Sequence, residues 1–164
     1  MRIIKLALIS FVFFFLLITG ISLFFPSHVR LSKAVDIQAS RDSILPAIRL
    51  PEQWKNWYPG ADTLQAYEEE GIVKGVRMPG NRTLMVTGST DSTVTAANGT
   101  SEKERATLGW NLIRTGPGTT TVQWYMDFNL RWYPWEKFSS LLLENRYGPV
   151  MEQGLAKLKK LTEK

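Results

Sequence analysis

An uncharged, largely apolar run extends from Leu6 to Phe25, and beyond it apolar positions recur among polar ones at strand or helix spacing. The first stretch, LALISFVFFFLLITGISLFF, carries no charge over twenty residues. A helix of that length spans about 30 Å, the thickness of a bilayer's hydrocarbon core. Phe11, Phe13, Phe14, Phe15, Phe24 and Phe25 make it apolar on every side, unlike an amphipathic surface helix. Arg2 and Lys5 precede it, and Pro26 follows where a helix can stop. A cleaved signal peptide is the competing reading. Its apolar region is usually shorter, and no clear small-x-small cleavage site precedes Pro26. A buried core helix is the third, and the remaining 139 residues would struggle to cover it. The expected division is 1–25 as a transmembrane anchor (or signal segment) and 26–164 as one domain.

After Pro26 the period changes. Val29, Leu31, Val35 and Ile37 fall on one face of an extended run and Arg30, Ser32, Asp36 and Gln38 on the other, with Lys33 the exception. This predicts a half-buried strand. Ser40 is placed to cap a helix starting near Arg41, with Asp42 in its first turn and Ile44, Leu45 and Ile48 on its apolar side. Pro46 keeps that helix short or irregular. Pro51 then opens a second short helix, Glu52 to Trp57, with proline at its preferred first position.

From Asp62 to about Leu130 the chain reads as all-β. IVKGVRM, RTLMVTG, STVTAAN, ERATLGWNLIRT and TTTVQWYMDFNL are strand-like runs, and TLQAYEE is a weaker one. Pro79-Gly80-Asn81, Gly88 to Asp91, Asn98-Gly99 and Gly116-Pro117-Gly118 punctuate them at hairpin spacing. In the last two runs Ala106, Leu108, Trp110 and Leu112 share a face, as do Val122, Trp124, Met126 and Phe128. Keeping both sets on one side sets Leu112 against Val122 and Trp110 against Trp124. Last comes a long helix with a stripe of Tyr147, Val150, Met151, Leu155, Leu158 and Leu161. The expected architecture is α+β: an antiparallel sheet of about seven strands, one apolar face of which the final helix covers.

Charge and composition narrow the partners. Removing Arg2 and Lys5 from the formal +5 leaves +3, which does not call for a nucleic acid. The absence of cysteine excludes disulfides, thiolate nucleophiles and cysteine metal sites. The single histidine, His28, sits beside the apolar segment, so no Ser-His-Asp or Cys-His set is readable, nor any phosphate-binding or metal-spaced motif. No catalytic constellation, cofactor or metal is expected. Glu68-Glu69-Glu70 reads as a solvated turn, and Asp127 as a solvent-facing residue rather than a general base. Lys157, Lys159, Lys160 and Lys164 crowd the end of the last helix, where they offset its dipole or meet anionic headgroups. Arg131-Trp132-Tyr133-Pro134-Trp135 either packs under the helix start or rests on a headgroup layer.

Four stretches in this order, VRLSKAVDIQASRDSI, WKNWYP, GPGTTTVQWYMDF and GPVMEQGLAKLKKLTE, resemble the SRPBCC superfamily of START-like helix-grip domains, and within it the membrane-anchored polyketide cyclase/dehydrase group. The resemblance implies a curved sheet gripping the long helix around an apolar cavity, with the two short helices closing one end. Candidate cavity residues are then Trp54, Trp57, Tyr58, Trp110, Trp124, Met126, Met151 and Leu155. For Trp54 and Trp57 three roles stay open: plain core, ligand contact and interfacial anchoring. Three functions stay open as well: a membrane-tethered domain binding a hydrophobic small molecule or lipid, an interaction domain with a filled core, and, from the resemblance alone, a cyclase or hydratase. Arg2 and Lys5 favour a cytoplasmic amino terminus and a non-cytoplasmic domain, against Arg30 and Lys33 beyond the other end.

Overall fold

A computed structural model describes residues 2–79, 82–99 and 106–163. Helix α1, Arg2–Ser22, is apolar, with its spanning window wholly unburied and Ser22 at its end buried against the fold. It starts earlier and stops sooner than the apolar run. Leu23, Phe24 and Phe25 tighten into i to i+3 backbone hydrogen bonds, because Pro26 disfavours helical backbone in the residue before it.

Strand β1, His28–Ile37, leads away from α1 and is followed by α2, Arg41–Arg49, and a 3-10 helix, Pro51–Asn56. Ser40 caps α2 by accepting from the Ser43 backbone N–H, as its position suggests. Six more strands follow: β2 (Ala66–Glu69), β3 (Ile72–Met78), β4 (Arg82–Ser89), β5 (Thr93–Gly99), β6 (Ala106–Gly116) and β7 (Thr119–Asn129). They form one seven-stranded antiparallel sheet in the order β1-β7-β6-β5-β4-β3-β2. Glu70 (φ 56°) and Gly71 (φ 77°) both take left-handed backbone in the β2–β3 turn, the geometry that lets a two-residue hairpin follow the strand twist. Asn98-Gly99, read as a turn, lies inside β5; Asn81 and the start of ERATLGWNLIRT lie outside the described residues. Trp110 pairs with Trp124 and Leu112 with Val122, the register the two apolar sets require.

Helix α3 (Pro134–Ser139) and helix α4 (Leu143–Thr162) close the chain. Met151, Leu155 and Leu158 point from α4 into the sheet's apolar face and are buried. Val150 is not part of this stripe: it is 37% exposed, one position off the line through Met151, Gly154, Leu155 and Leu158. Lys33 breaks the alternation of β1 because α4 passes over it. Its ammonium meets Glu144 at 2.6 Å and Glu152 at 2.8 Å, and those carboxylates raise its pKa.

Helix α4 runs parallel to β1. At the far end Lys159 donates to the Asp36 carbonyl (2.9 Å) and Glu163 accepts from the Gln38 backbone N–H (2.8 Å). These bonds occupy backbone groups at the far end of β1, an edge strand that otherwise offers itself to another strand. The basic end of α4 thus lies beside the end of β1 that is farther from α1 along the strand, and Lys159 there serves the strand edge.

Candidate ligand site between the sheet and helix α4

Trp54 sits on the 3-10 helix, and Trp57, three residues on, caps its end. Both are fully buried. Their indole N–H groups donate to the Ile48 carbonyl (2.7 Å) and the Ala47 carbonyl (2.8 Å). Those are among the last carbonyls of α2, which have no partner within the helix. The two tryptophans thus fasten α2 to the sheet end. Tyr58 stacks on Trp54 (5.8 Å between ring centroids) and lies 5.2 Å from Trp124; burial pushes its hydroxyl pKa up.

Trp110 and Trp124 continue the cluster from the sheet, 5.6 Å apart, with Trp57 5.9 Å from the first and 6.0 Å from the second. Helix α4 comes close at Gly154. A Cβ there would lie 2.8 Å from Cζ3 of Trp124 and 2.9 Å from Cδ of Pro59, so only glycine fits without a shift. Met126 and Met151 extend the same buried cluster towards α1, where the Phe128 ring meets Tyr147 at 5.3 Å, and Leu155 continues it on the other side of Gly154. All eight candidate residues therefore share one core. Leu155 also borders an open groove of about 620 Å³ between β1 and α4, lined by Ala34, Val35 and Ala156 together with the charged Lys33, Glu152, Lys159, Lys160 and Glu163.

The indoles differ in one respect. Trp110 and Trp124 are as buried as Trp54 and Trp57, but neither Nε1–H has an acceptor among the described residues. An unmet buried donor costs about 1–3 kcal/mol.

On the outer face, Arg30 grips Asp127 with two hydrogen bonds of 2.7 Å and lies 4.5 Å over the Tyr125 ring. Asp127 takes the outward face its alternation gives it, but is not solvent-exposed: Arg30 and its neighbours leave it 9% accessible. The Arg30 guanidinium holds its carboxyl below the ordinary range, so it stays ionised and occupied, which suits a structural ion pair and not a general base. Asn111 and Gln123 bond to each other on this face (3.2 Å) and do not reach the interior. Sequence reading missed the role of Lys33, whose only signal was the broken alternation, and that of Gly154, whose signal was a glycine inside an apolar helical stripe.

The family described as "Polyketide cyclase / dehydrase and lipid transport" matches residues 28–163, from the first strand to the end of α4. The chain belongs to this family. Solved structures agree on the fold. A START superfamily protein from Mycobacterium smegmatis superimposes with TM-score 0.58 at 16% identity, over 82% of this chain and 97% of that one. Norcoclaurine synthase from Thalictrum flavum, solved with dopamine and hydroxybenzaldehyde, gives 0.58 at 11%, over 82% and 86%. The Aha1 dimer from Colwellia psychrerythraea gives 0.53 at 18%, over 82% and 96%. At these identities the likeness concerns the fold. No curated protein matches the chain. The family description points to a helix-grip domain that handles a hydrophobic ligand, and α1 is long and apolar enough to cross a membrane.

Proposed function

We propose that residues 26–164 bind a hydrophobic small molecule or lipid between the sheet and α4, and that residues 1–25 tether them to a membrane. The observation carrying this reading is the pair of buried, unpartnered indole donors on Trp110 and Trp124. Ligand sites are mostly apolar with a few polar groups that fix orientation. N–H groups on two neighbouring rings in an apolar wall suit acceptor oxygens, such as those of a carboxyl or carbonyl, on an otherwise apolar molecule. Met126, Met151 and Leu155 supply the apolar wall, and the methionines adapt to varied shapes. Trp54, Trp57 and Tyr58 form the closed end, since their hydrogen bonds to α2 commit them to the scaffold. A tether keeps such a domain beside the bilayer in which a water-insoluble ligand dissolves. Arg2 and Lys5 favour a non-cytoplasmic domain. Protease added outside sealed right-side-out vesicles then digests it; full protection reverses the orientation.

The close packing at Gly154 favours one other reading, an interaction domain whose core is filled by its own side chains. Indole N–H resonances of the full chain in micelles, titrated with fatty acids, isoprenoids and phospholipids, separate the two. Saturable shifts of the Trp110 and Trp124 signals, with Trp54 and Trp57 unmoved, support binding. No response to any class, together with no apolar molecule co-purifying in native mass spectrometry, favours the filled core.

A further inference from the structure

The segment 131–142 leaves large apolar side chains uncovered. Trp132, Trp135 and Leu141 are each 62% exposed and Leu142 63%. Tyr133 joins the two tryptophans into a ladder, its ring 4.8 Å from each. A cluster of this kind on a folded surface marks an interaction site.

The same segment is clamped to the end of α1. Lys137 is 4% exposed, and its ammonium donates to the Phe25 carbonyl (3.0 Å) and the Ser27 hydroxyl (2.7 Å). A buried ammonium is costly unless its donors are met, so these bonds fix the junction. The Phe138 ring meets Phe25 at 5.3 Å, and the Ser27 carbonyl accepts from the Leu130 backbone N–H (2.7 Å). The uncovered aromatics therefore lie where the apolar helix gives way to the fold, next to Leu23 and Phe24, themselves 73% and 91% exposed.

We infer that segment 131–142 rests in the interfacial layer of the bilayer that α1 spans, as a second, peripheral contact that sets the orientation of the domain. This rests on the tethered reading above. Tryptophan rings, apolar with one polar edge, favour the boundary between headgroups and acyl chains. Arg131 is paired with Glu136 (3.2 Å), so the contact is chiefly apolar and holds at high salt. Strand β1 then points away from the membrane, and α2 with its tryptophan clamp forms the far pole. The near pole, where Phe128 and Tyr147 meet at the start of α4, faces the lipid, so a hydrophobic ligand exchanges with the bilayer there.

The tryptophan distribution makes this testable. Helix α1 has none, and the other four are fully buried. The full chain is reconstituted into phosphatidylcholine vesicles carrying a lipid spin-labelled just below the headgroup. The expected result is a lipid-quenched tryptophan component, unchanged in 1 M salt, that is lost in a Trp132→Phe/Trp135→Phe variant. That variant still floats with the vesicles and keeps its near-UV circular dichroism. If the protein floats but only aqueous acrylamide quenches this component, the interfacial contact is overturned and the tether stands. If neither quencher reaches it and cross-linking traps dimers, a second copy covers the patch and the inference is again overturned. If the protein does not float, the tether fails and this inference with it.

Discussion

Replacing Gly154 by alanine sets two effects of known size against each other. In a helix interior the change gains about 1 kcal/mol, because alanine loses less backbone entropy and has the higher propensity. Against this, the new Cβ would stand 2.8 Å from Cζ3 of Trp124, 2.9 Å from Cδ of Pro59 and 3.3 Å from its Cγ. Neither neighbour is the free end of a flexible chain. Trp124 is fully buried among aromatic rings, and Pro59 follows Tyr58 at the clamped end, so α4 itself must retreat. Overpacking of this kind costs about 1–3 kcal/mol. The expected net is a destabilisation of about 0–2 kcal/mol, read by urea unfolding of the full chain in micelles, followed by near-UV circular dichroism. Because that range is narrow, a double-mutant cycle sharpens it. Trp124→Phe removes the ring atoms nearest the new methyl, so Gly154→Ala should cost less, or stabilise, in that background, with a coupling of about 0.5–3 kcal/mol. A stabilisation of about 1 kcal/mol in the parent chain, with no coupling to Trp124, would refute the reasoning. It would mean that α4 does not press on the sheet there and that the space beneath it is open.

Trp54→Phe should cost about 1–3 kcal/mol more than Trp110→Phe in the same unfolding experiment. Both residues are fully buried and lose the same volume, but only Trp54 strands a carbonyl, that of Ile48; equal losses would contradict the hydrogen-bond assignment. Leu155→Ala should cost about 2–5 kcal/mol if its site is packed, and a loss well below that would show that the groove beside it reaches the side chain. The Asp127 carboxyl is held below its ordinary value of 3.8 by Arg30, so its stabilisation is complete above that pH and fades as pH falls through the lower folded value. Asp127→Asn should therefore flatten the acid limb of a stability–pH curve, and an unchanged limb would show that the Arg30 pair contributes nothing.

The sequence by itself determined whatever depends on local periodicity. A strand's two-residue period and a helix's 3.6-residue period are printed in the order of side chains, and one buried face leaves a single register open. That is why the Trp110–Trp124 pairing, the Ser40 cap and the succession of about seven strands along the chain were all legible. Trp110, Trp124, Met126, Met151 and Leu155 were legible as inward-facing for the same reason, whereas Trp54, Trp57 and Tyr58 entered through the family resemblance. Which indoles find a partner was not. Trp54, Trp57, Trp110 and Trp124 look alike in sequence, and only the arrival of α2's end carbonyls beside the first two separates scaffold from candidate ligand donors. Asp127 and Lys33 show the same limit from the charged side. Alternation gave Asp127 its face but not its cover, and marked Lys33 as an exception without showing that α4 brings Glu144 and Glu152 to it. The clamp of Lys137 on Phe25 and Ser27 joins residues more than a hundred positions apart. Such pairings depend on where the chain returns in space, so the tertiary structure alone decided them and, with them, where the exposed aromatics stand relative to the apolar helix.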